Sequence, residues 1–433
     1  MALLLKNAHL VDPATGIDGV ADLLVRDGRV AAAGAGLSAP QDSEVKDLWG
    51  KYLVPGMVDV HVHFRDPGQE YKEDIVTGMR AAAKGGFTGV APMANTKPAI
   101  DDASMVAYEL EKAAYAPGRT HLYPIGACTK GLKGAELAEM GDMARAGAVA
   151  FSDDGRGIQD GGMMRRVMDY AKMFGKPVMS HCQMEDIVGH GVVNEGAAST
   201  RLGMAGWPAA GEEVQIDRDI ELARLTGCHI HIQHISTARG AQMVARAKAE
   251  GIPVTCEVTP HHLFLNEDDI KADEYNTNLK MNPPLRTAAD AAALREGVCD
   301  GSIDCVVTDH APHVAHEKEC EFEIASFGTV GLECSLPLML NNLVRKGHMS
   351  WQTLVEVMAV NPRRVLHLEP VRVEAGSAAN LTLIDPERQV KVTPDFIESK
   401  SKNCAFLGMT LTGSATDVFV EGKHTLVDGE VAW

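Results

Sequence analysis

The chain has 433 residues and carries 41 Lys and Arg against 59 Asp and Glu, a formal net charge of −18. This charge, without any basic run, weighs against nucleic acid or an anionic membrane as a partner, and at first also against an anionic substrate. At roughly 100–200 residues per domain, the length suits two or three domains or one large barrel with an appendage. Nine scattered cysteines without a CxxC pair, and no signal-peptide pattern before Leu10, favour a reduced, cytoplasmic protein.

Both ends of the chain are predicted to be rich in β-strands. Short β-like runs separated by turn signals fall at Leu3–Leu5, Ala21–Arg26, Arg29–Ala33 and Leu53–Val54, and again at Ala379–Ile384, Thr416–Val420 and His424–Asp428. Neither end alone has enough strands for a stable sheet. We therefore expect residues 1–55 and 368–433 to pair into one small β-sandwich domain.

Between these ends, the pattern predicts an α/β domain over residues 56–367. Eight apolar runs alternate with Ala-rich helical stretches: Met57–Val60, Gly89–Met93, Leu122–Ile125, Val149–Phe151, Val178–Met179, Ile230–Ile235, Val254–Val258 and Cys305–Val307. Helices are predicted at Lys72–Lys84 and Asp217–Thr226, each followed by glycine. Eight doubly buried parallel strands within about 250 residues are typical of a TIM-type (β/α)8 barrel.

Polar residues follow these runs, where a barrel carries its chemistry. His61 and His63 are two positions apart at the end of the first run, so their imidazoles point the same way on an extended chain. Imidazole nitrogens suit Zn²⁺ and similar ions. An isolated pair of this kind is as well explained by two hydrogen-bonded core histidines.

The pair is not isolated, because other runs end in ligand-type residues: Asn95, Asp153 and Asp154, His181, His234, and Asp309. On the sixth run, His234 is the most C-terminal of three histidines, and we expect His229 and His231 to lie within the barrel wall. Spacing alone does not choose between Asp153 and Asp154. Such clusters often hold two metal ions a few ångströms apart. The sequence therefore predicts a metal site at one mouth of the barrel.

Nine segments along the barrel resemble the class I (bacterial-type) dihydroorotases of the amidohydrolase superfamily. They are His61-Val-His-Phe-Arg-Asp-Pro-Gly68, Met93-Ala-Asn-Thr-Lys-Pro98, Phe151-Ser-Asp-Asp-Gly155, Ser180-His-Cys182, Gln233-His-Ile-Ser-Thr237, Thr259-Pro-His-His262, Lys280-Met-Asn-Pro-Pro-Leu-Arg286, Thr308-Asp-His-Ala-Pro-His313 and Ser326-Phe-Gly-Thr-Val-Gly331. The first His-x-His motif is shared by the whole superfamily. A narrower group of proteins, the dihydroorotases, is indicated by His63-Phe-Arg65 together with Asn95 and the segment from Lys280 to Arg286. Together they span the whole barrel in order.

The resemblance implies a ligand set and a substrate clamp. It implies that one metal is held by His61, His63 and Asp309, that a second is held by His181 and His234, and that Asp154 bridges them. It also implies that Arg65, Asn95 and His313, beside the ligand His63, bind the substrate carboxylate, and that Asn282 with the backbone of Phe327 and Gly328 contacts the ring amide. The implied cofactor is Zn²⁺, one or two ions per subunit, with another divalent metal as the alternative.

The implied reaction is the reversible cyclisation of N-carbamoyl-L-aspartate to dihydroorotate and water, in pyrimidine biosynthesis. A metal-bound hydroxide attacks the ring carbonyl, and Asp309 serves as general base and then general acid. Two divalent ions, less two carboxylates and a hydroxide and with Arg65 added, give the pocket about +2, so it suits an anionic substrate despite the charge of the whole chain. The Gly155–Gly157 and Val314–Phe327 loops are candidate lids.

Two alternatives remain open at this stage. Hydantoinases, dihydropyrimidinases and allantoinases share the implied fold but usually bridge their metals with a carboxylated lysine, and no lysine occurs here from Gly134 to Tyr170. A non-catalytic scaffold for aspartate transcarbamoylase is disfavoured because all six implied ligands are present. A homodimer is expected as the common state of such enzymes. Association with aspartate transcarbamoylase stays possible for an active enzyme.

Overall fold

The protein is described by a computed structural model that covers residues 2–41, 43–116 and 120–433. Within these residues the strands are β1 (Ala2–Asp12), β2 (Ile17–Arg26), β3 (Arg29–Gly34), β4 (Glu44–Asp47), β5 (Tyr52–Pro55), β6 (Met57–Val62), β7 (Phe87–Pro92), β8 (His121–Leu122), β9 (Ile125–Gly126), β10 (Ala150–Phe151), β11 (Val178–Ser180), β12 (Val193–Asn194), β13 (Gly206–Trp207), β14 (Ile230–Ile232), β15 (Val254–Val258), β16 (Cys305–Val306), β17 (Leu381–Lys391), β18 (Thr410–Val420), β19 (Lys423–Val427) and β20 (Glu430–Val431).

Helices lie between the central strands. The α-helices are α1 (Ile75–Gly85), α2 (Ala103–Tyr115), α3 (Met140–Ala146), α4 (Gly161–Met173), α5 (Glu185–Val188), α6 (Ala197–Leu202), α7 (Ala210–Thr226), α8 (Ala238–Ala249), α9 (Pro260–Phe264), α10 (Ala288–Asp300), α11 (Ala315–Lys318), α12 (Leu332–Met339), α13 (Trp351–Val355) and α14 (Asn361–Val365). Short 3-10 turns occur at Lys130–Leu132, Glu267–Asp269 and Thr277–Leu279, and π-helical segments at Leu340–Val344 and Glu356–Val360. None of the helices in the described ranges is both long enough and apolar enough to cross a membrane.

The two ends of the chain form one sheet, with the strand order β20-β19-β18-β17-β5-β1-β2-β3 and with β4 paired to β1. Strand β5 joins the ends, because it runs parallel to β1 and antiparallel to β17. A buried cluster that includes Leu5, Leu23, Leu381 and Phe419 draws residues from both ends of the chain. The expected pairing of the ends is therefore confirmed. Strand β4 was not predicted, because its residues are largely exposed and polar.

The barrel strands form two parallel runs, β6-β7-β8 and β16-β15-β14-β11-β10-β9. A bridge between Val62 and His310 brings the end of β6 against the segment that follows β16. The α/β barrel expected from the alternating pattern is confirmed. The single strand predicted at Leu122–Ile125 is wrong: β8 pairs with β7 and β9 with β10, and Pro124, which has no N–H to donate, lies between them.

Helix ends follow local capping chemistry. Helix α1 begins after Asp74, whose carboxylate accepts from the Thr77 N–H, and ends at Gly86 in a left-handed conformation. The helix predicted from Lys72 therefore starts three residues too early. Helix α7 begins seven residues earlier than predicted, and Gly211 in its first turn lies close to Val188, where a Cβ would clash at 2.4 Å.

Candidate metal centre and active site

Ligand-type side chains from four other strand ends converge around Asp154, which lies after β10. Its Oδ1 atom is 3.4 Å from His61 Nε2, 3.3 Å from His181 Nδ1 and 3.7 Å from His234 Nε2, while its Oδ2 atom is 3.5 Å from His63 Nε2. Asp309 contacts two of the same histidines, with Oδ1 at 3.0 Å from His63 Nε2 and 3.5 Å from His61 Nε2. All six side chains are buried.

The donor set of this cluster fits metal ions. Two triads, His61 with His63 and Asp309, and His61 with Asp154 and His234, keep their ligand atoms within 4.8 Å of one another. In the described part of the chain, His61 Nε2 and Asp154 Oδ1 have no hydrogen-bond partner although both atoms are buried. Unpaired buried polar atoms are costly, and a cation between them satisfies both. The residues present are those that Zn²⁺ and similar ions prefer.

The carboxylates and histidines of the cluster stabilise one another's charged forms. Burial alone would raise the pKa of Asp154 and of Asp309, but the neighbouring histidines, His61 foremost, hold both well below the usual value. Burial would lower the pKa of His61, yet the carboxylates, chiefly Glu257 and Asp154, raise it well above its usual value. Protons therefore compete with a metal for this site, and metal binding releases them.

Two side chains of this cluster and the predicted substrate residue Arg65 lie on strained backbone. Arg65, His234 and Asp309 have φ angles of 59°, 30° and 46°, in the left-handed region that is uncommon for residues other than glycine. Strand β14 ends at Ile232, earlier than the predicted Ile235, and the chain turns out through His234. Strain of this kind concentrates at functional sites.

The two aspartates after β10 have different surroundings. Asp153 Oδ1 accepts from the backbone N–H groups of Cys128 and Thr129 at 2.8 and 3.0 Å, and Oδ2 accepts from the Thr129 hydroxyl. Burial raises the pKa of Asp153 to about 6. Asp153 thus holds the neighbouring loop, whereas Asp154 faces the four histidines.

Paired substitutions at these two positions should have opposite effects. We expect Asp154→Asn to lose bound metal while the melting temperature of the metal-free protein changes little. We expect Asp153→Asn to keep its metal but to lose about 1–3 kcal/mol of stability, because one amide oxygen cannot replace both carboxylate oxygens. Elemental analysis and thermal melting of both variants test this, and metal loss confined to Asp153→Asn would reverse the assignment.

Glu257, on β15, was not identified from the sequence. Its Oε1 atom is 2.5 Å from His61 Nδ1 and its Oε2 atom is 3.0 Å from His231 Nε2, and all three side chains are fully buried. Burial would raise its pKa, but His61 and His231 lower it to about 2. The available signal was a lone carboxylate inside a predicted strand with no other charged residue. His231 lies on β14 and is fully buried, whereas His229, one residue before the strand, is half-buried.

Arg65 and His313 lie together at the mouth. Arg65 Nη2 is 3.5 Å from His313 Nε2, and Arg65 Nε donates to the Pro312 carbonyl at 3.4 Å. Burial and the Arg65 charge lower the pKa of His313 to about 3, so its ring is neutral. Asn95 contacts the proposed ligands directly, with Oδ1 at 2.9 Å from His63 Nδ1 and Nδ2 at 3.2 Å from Asp154 Oδ2.

The other predicted substrate residues differ in whether their polar atoms already have hydrogen-bond partners. Asn282 Nδ2 donates to Gln183 Oε1, which also contacts His181 Nε2, while Asn282 Oδ1 has no partner among the described residues. The Gly328 N–H, in contrast, already donates to the Lys280 carbonyl. The Phe327 ring packs over the Lys280 ammonium at 4.4 Å.

Hydrogen bonds join the two ends of the predicted lid, the Val314–Phe327 loop. Lys318 Nζ donates to the carbonyls of Ser326 and Gly328 at 2.7 and 3.0 Å, and Ser326 N–H donates to the Glu317 carbonyl. The lid role of this loop and of the Gly155–Gly157 loop remains a prediction.

Two neutral histidines, the buried His261 and the half-buried His229, make stability depend on pH. Burial lowers the pKa of His229 to about 3 and that of His261 to about 4. The unfolded chain binds protons at these side chains from about pH 6.5 downward, whereas the folded chain does not. We expect each of these two histidines to lower the free energy of unfolding of the metal-free protein by about 1–2 kcal/mol between pH 7.5 and 5. Urea unfolding at both pH values measures this, and His261→Gln should show a shallower decline; an equally steep one would contradict the assignment.

Comparison with known proteins agrees with this geometry. A Dihydro-orotase-like family model matches residues 50–240. Curated dihydroorotases of Geotalea daltonii and Trichlorobacter lovleyi are 47% and 46% identical over 423 residues, which cover 98% of this chain and 99% of each relative. The solved L-hydantoinase (dihydropyrimidinase) from Arthrobacter aurescens superposes with a TM-score of 0.87 at 29% identity, over 100% of this chain and 97% of that one.

The barrel, its cluster of histidines and aspartates, and these similarities define an enzyme that hydrolyses cyclic amides. Within that class, the identity to curated relatives across nearly the whole chain decides the family. The chain belongs to the dihydroorotase family.

Proposed function

We propose that the chain is a class I dihydroorotase of the amidohydrolase superfamily that interconverts N-carbamoyl-L-aspartate and dihydroorotate with loss or gain of water. The observation that carries the proposal is Asp154, a carboxylate with an unpaired oxygen among His61, His181 and His234. No lysine occurs from Gly134 to Tyr170 that could supply the carboxylated-lysine bridge expected of a hydantoinase. This reaction is a step of pyrimidine biosynthesis, and we place it in the cytoplasm.

Six side chains would hold the metal. His61, His63 and Asp309 would bind one ion, His181 and His234 a second, and Asp154 would bridge them. We propose Zn²⁺ as the ion, on the imidazole-rich donor set. When bound, such ions activate water at neutral pH and polarise the carbonyl that is attacked.

Asp309 carries the proton in this scheme. Its carboxylate, 8% exposed and beside His63, takes a proton from the attacking water and passes it to the ring nitrogen that leaves. In the direction of cyclisation the same group works in reverse. The pKa of Asp309, held low by the neighbouring histidines, keeps it ionised and ready to accept.

The clamp residues bind and orient the substrate. Arg65 offers a planar, charged fork that matches a carboxylate, and neutral His313 beside it adds a ring nitrogen. Asn95 connects this region to His63 and Asp154. Asn282, with its unpaired Oδ1, would contact the ring amide together with the backbone of Phe327. Because the Gly328 N–H is already donated, Gly328 contributes only after its bond to Lys280 opens.

A second candidate is hydrolysis of a different ring, favoured by the similarity to L-hydantoinase. Rates with dihydroorotate and with hydantoins separate the two. We expect dihydroorotate to be strongly preferred, because its ring carboxylate pairs with Arg65 and hydantoins lack that group. Comparable rates with both would favour the second candidate.

We also propose that the protein forms a homodimer and associates with aspartate transcarbamoylase. Light scattering tests the first and co-purification the second.

A further inference from the structure

A chain of hydrogen bonds runs through the barrel from His61 to its opposite face. We call its members, from Glu257 to His367, the histidine column. The links are Glu257 Oε1 to His61 Nδ1 at 2.5 Å, Glu257 Oε2 to His231 Nε2 at 3.0 Å, His231 Nδ1 to Thr255 Oγ1 at 2.7 Å, Thr255 Oγ1 to His229 Nε2 at 2.8 Å, His229 Nδ1 to His367 Nε2 at 3.0 Å, and His367 Nδ1 to the Gly175 carbonyl at 2.8 Å.

Strand geometry explains the alignment. Thr255 and Glu257 are two residues apart on β15, and His229 and His231 are two residues apart at β14, so each pair faces the same way. Residues His231 and Thr255 are paired in the parallel register of the two strands. Exposure changes along the column: Glu257 and His231 are fully buried, whereas His367 at the far end is exposed.

The two ends of the column fix the direction of their own hydrogen bonds. The Gly175 carbonyl and the Glu257 carboxylate can only accept, so His367 Nδ1 and His231 Nε2 each carry a hydrogen. Between them, the Thr255 hydroxyl bonds both His231 Nδ1 and His229 Nε2, because a hydroxyl can donate one hydrogen bond and accept another. Thr255 therefore holds the ring of His231, which in turn donates to Glu257.

We propose that the histidine column positions His61, with Glu257, His231 and Thr255 as positioning residues for metal binding. Glu257 accepts the Nδ1 hydrogen of His61 and so leaves Nε2, the unpaired buried atom, facing Asp154 and Asp309. Partners of this kind fix the tautomer and orientation of a ligating histidine.

Glu257 also connects two proposed ligands. Its Oε1 atom accepts from the backbone N–H of His234 at 3.3 Å. One carboxylate therefore contacts both β6, through His61, and the turn after β14. A buried carboxylate needs hydrogen-bond partners, which His61, His231 and the His234 N–H provide. The Thr255 hydroxyl bonds the other ring nitrogen of His231 and so fixes the orientation of the ring that donates to Glu257. The inference rests on the proposed metal site.

Substitution at the two ends of this link tests the proposal. We expect Glu257→Gln to bind Zn²⁺ about 10- to 100-fold more weakly, because the amide keeps the shape but not the charge. We expect Thr255→Val, which removes only the hydroxyl link, to weaken binding about threefold or more. Thr255→Ser, which restores the hydroxyl, should lie within about twofold of the wild type. Zn²⁺ affinity is measured by chelator competition at one pH, together with melting of each metal-free protein.

The outcomes separate this inference from the proposed function. Wild-type affinity in both Glu257→Gln and Thr255→Val would overturn it while the metal site stands. If Glu257→Gln does not fold, the comparison of Thr255→Val with Thr255→Ser decides alone, because equal affinities there overturn the inference. A lower melting temperature in Thr255→Val without weaker Zn²⁺ binding indicates a structural role only and also overturns it. A wild-type chain that binds no Zn²⁺ contradicts the proposed function itself.

Discussion

Asp309→Asn should lose turnover by roughly a thousandfold or more in both directions, because general acid–base catalysis contributes about 10²–10⁴. The amide has nearly the same shape but cannot take a proton from water or return it to the ring nitrogen. The loss should appear in kcat more than in KM, since Arg65 and His313 still bind the substrate. Rates of dihydroorotate hydrolysis and carbamoyl-aspartate cyclisation measure the effect.

Asp309 is also a proposed ligand, so bound metal must be counted in the same preparation. Asp273→Asn, at an exposed position away from the site, is the matched control and should behave as the wild type. A variant at Asp309 that folds, holds its full metal and retains more than about a tenth of the rate would assign the proton transfer to another residue.

Arg65→Ala should weaken the binding of dihydroorotate by about 10²- to 10³-fold, since removing one partner of a buried charge pair costs about 2–5 kcal/mol. Arg65→Lys should recover little, because an ammonium cannot bind a carboxylate through two parallel bonds. Metal content should stay the same, since Arg65 is not among the proposed ligands. Inhibition constants and KM, measured alongside metal content, test both variants.

Arg145→Ala, which removes an exposed arginine on α3, is the control for loss of charge. A neutral hydantoin adds a second control, because its weak binding should not change in Arg65→Ala. Unchanged affinity of Arg65→Ala for dihydroorotate would remove Arg65 from the clamp.

Much of the barrel could be predicted because its strands are buried on both faces. Apolar runs such as Val254–Val258 stand out from the helices between them, and polar residues at their ends are conspicuous. The failures arise where tertiary pairing decides the outcome. Leu122–Ile125 has the composition of one strand, but Pro124 divides it between two neighbours. The exposed strand β4 has no apolar pattern to detect.

The site likewise contains residues that the sequence predicts and residues that only the tertiary structure identifies. Positions at strand ends predict which residues approach one another, and His61, His63, His181, His234 and Asp309 do so. It is harder to predict which of two adjacent residues is the ligand, since Asp153 and Asp154 differ only in the direction of their side chains. Glu257 is harder still, because its role depends on a contact with a residue 196 positions away in the chain. Hydrogen-bond partners of this kind belong to the three-dimensional structure rather than to spacing.

Metal removal and restoration, followed by the carbamoyl-aspartate cyclisation assay, tests the central claim most directly. The purified protein should contain one or two divalent ions per chain and form dihydroorotate. Chelation should abolish the activity without unfolding the chain, and added Zn²⁺ should restore it. Full cyclisation by a protein shown to be metal-free, or no cyclisation by a fully loaded one, would contradict the account.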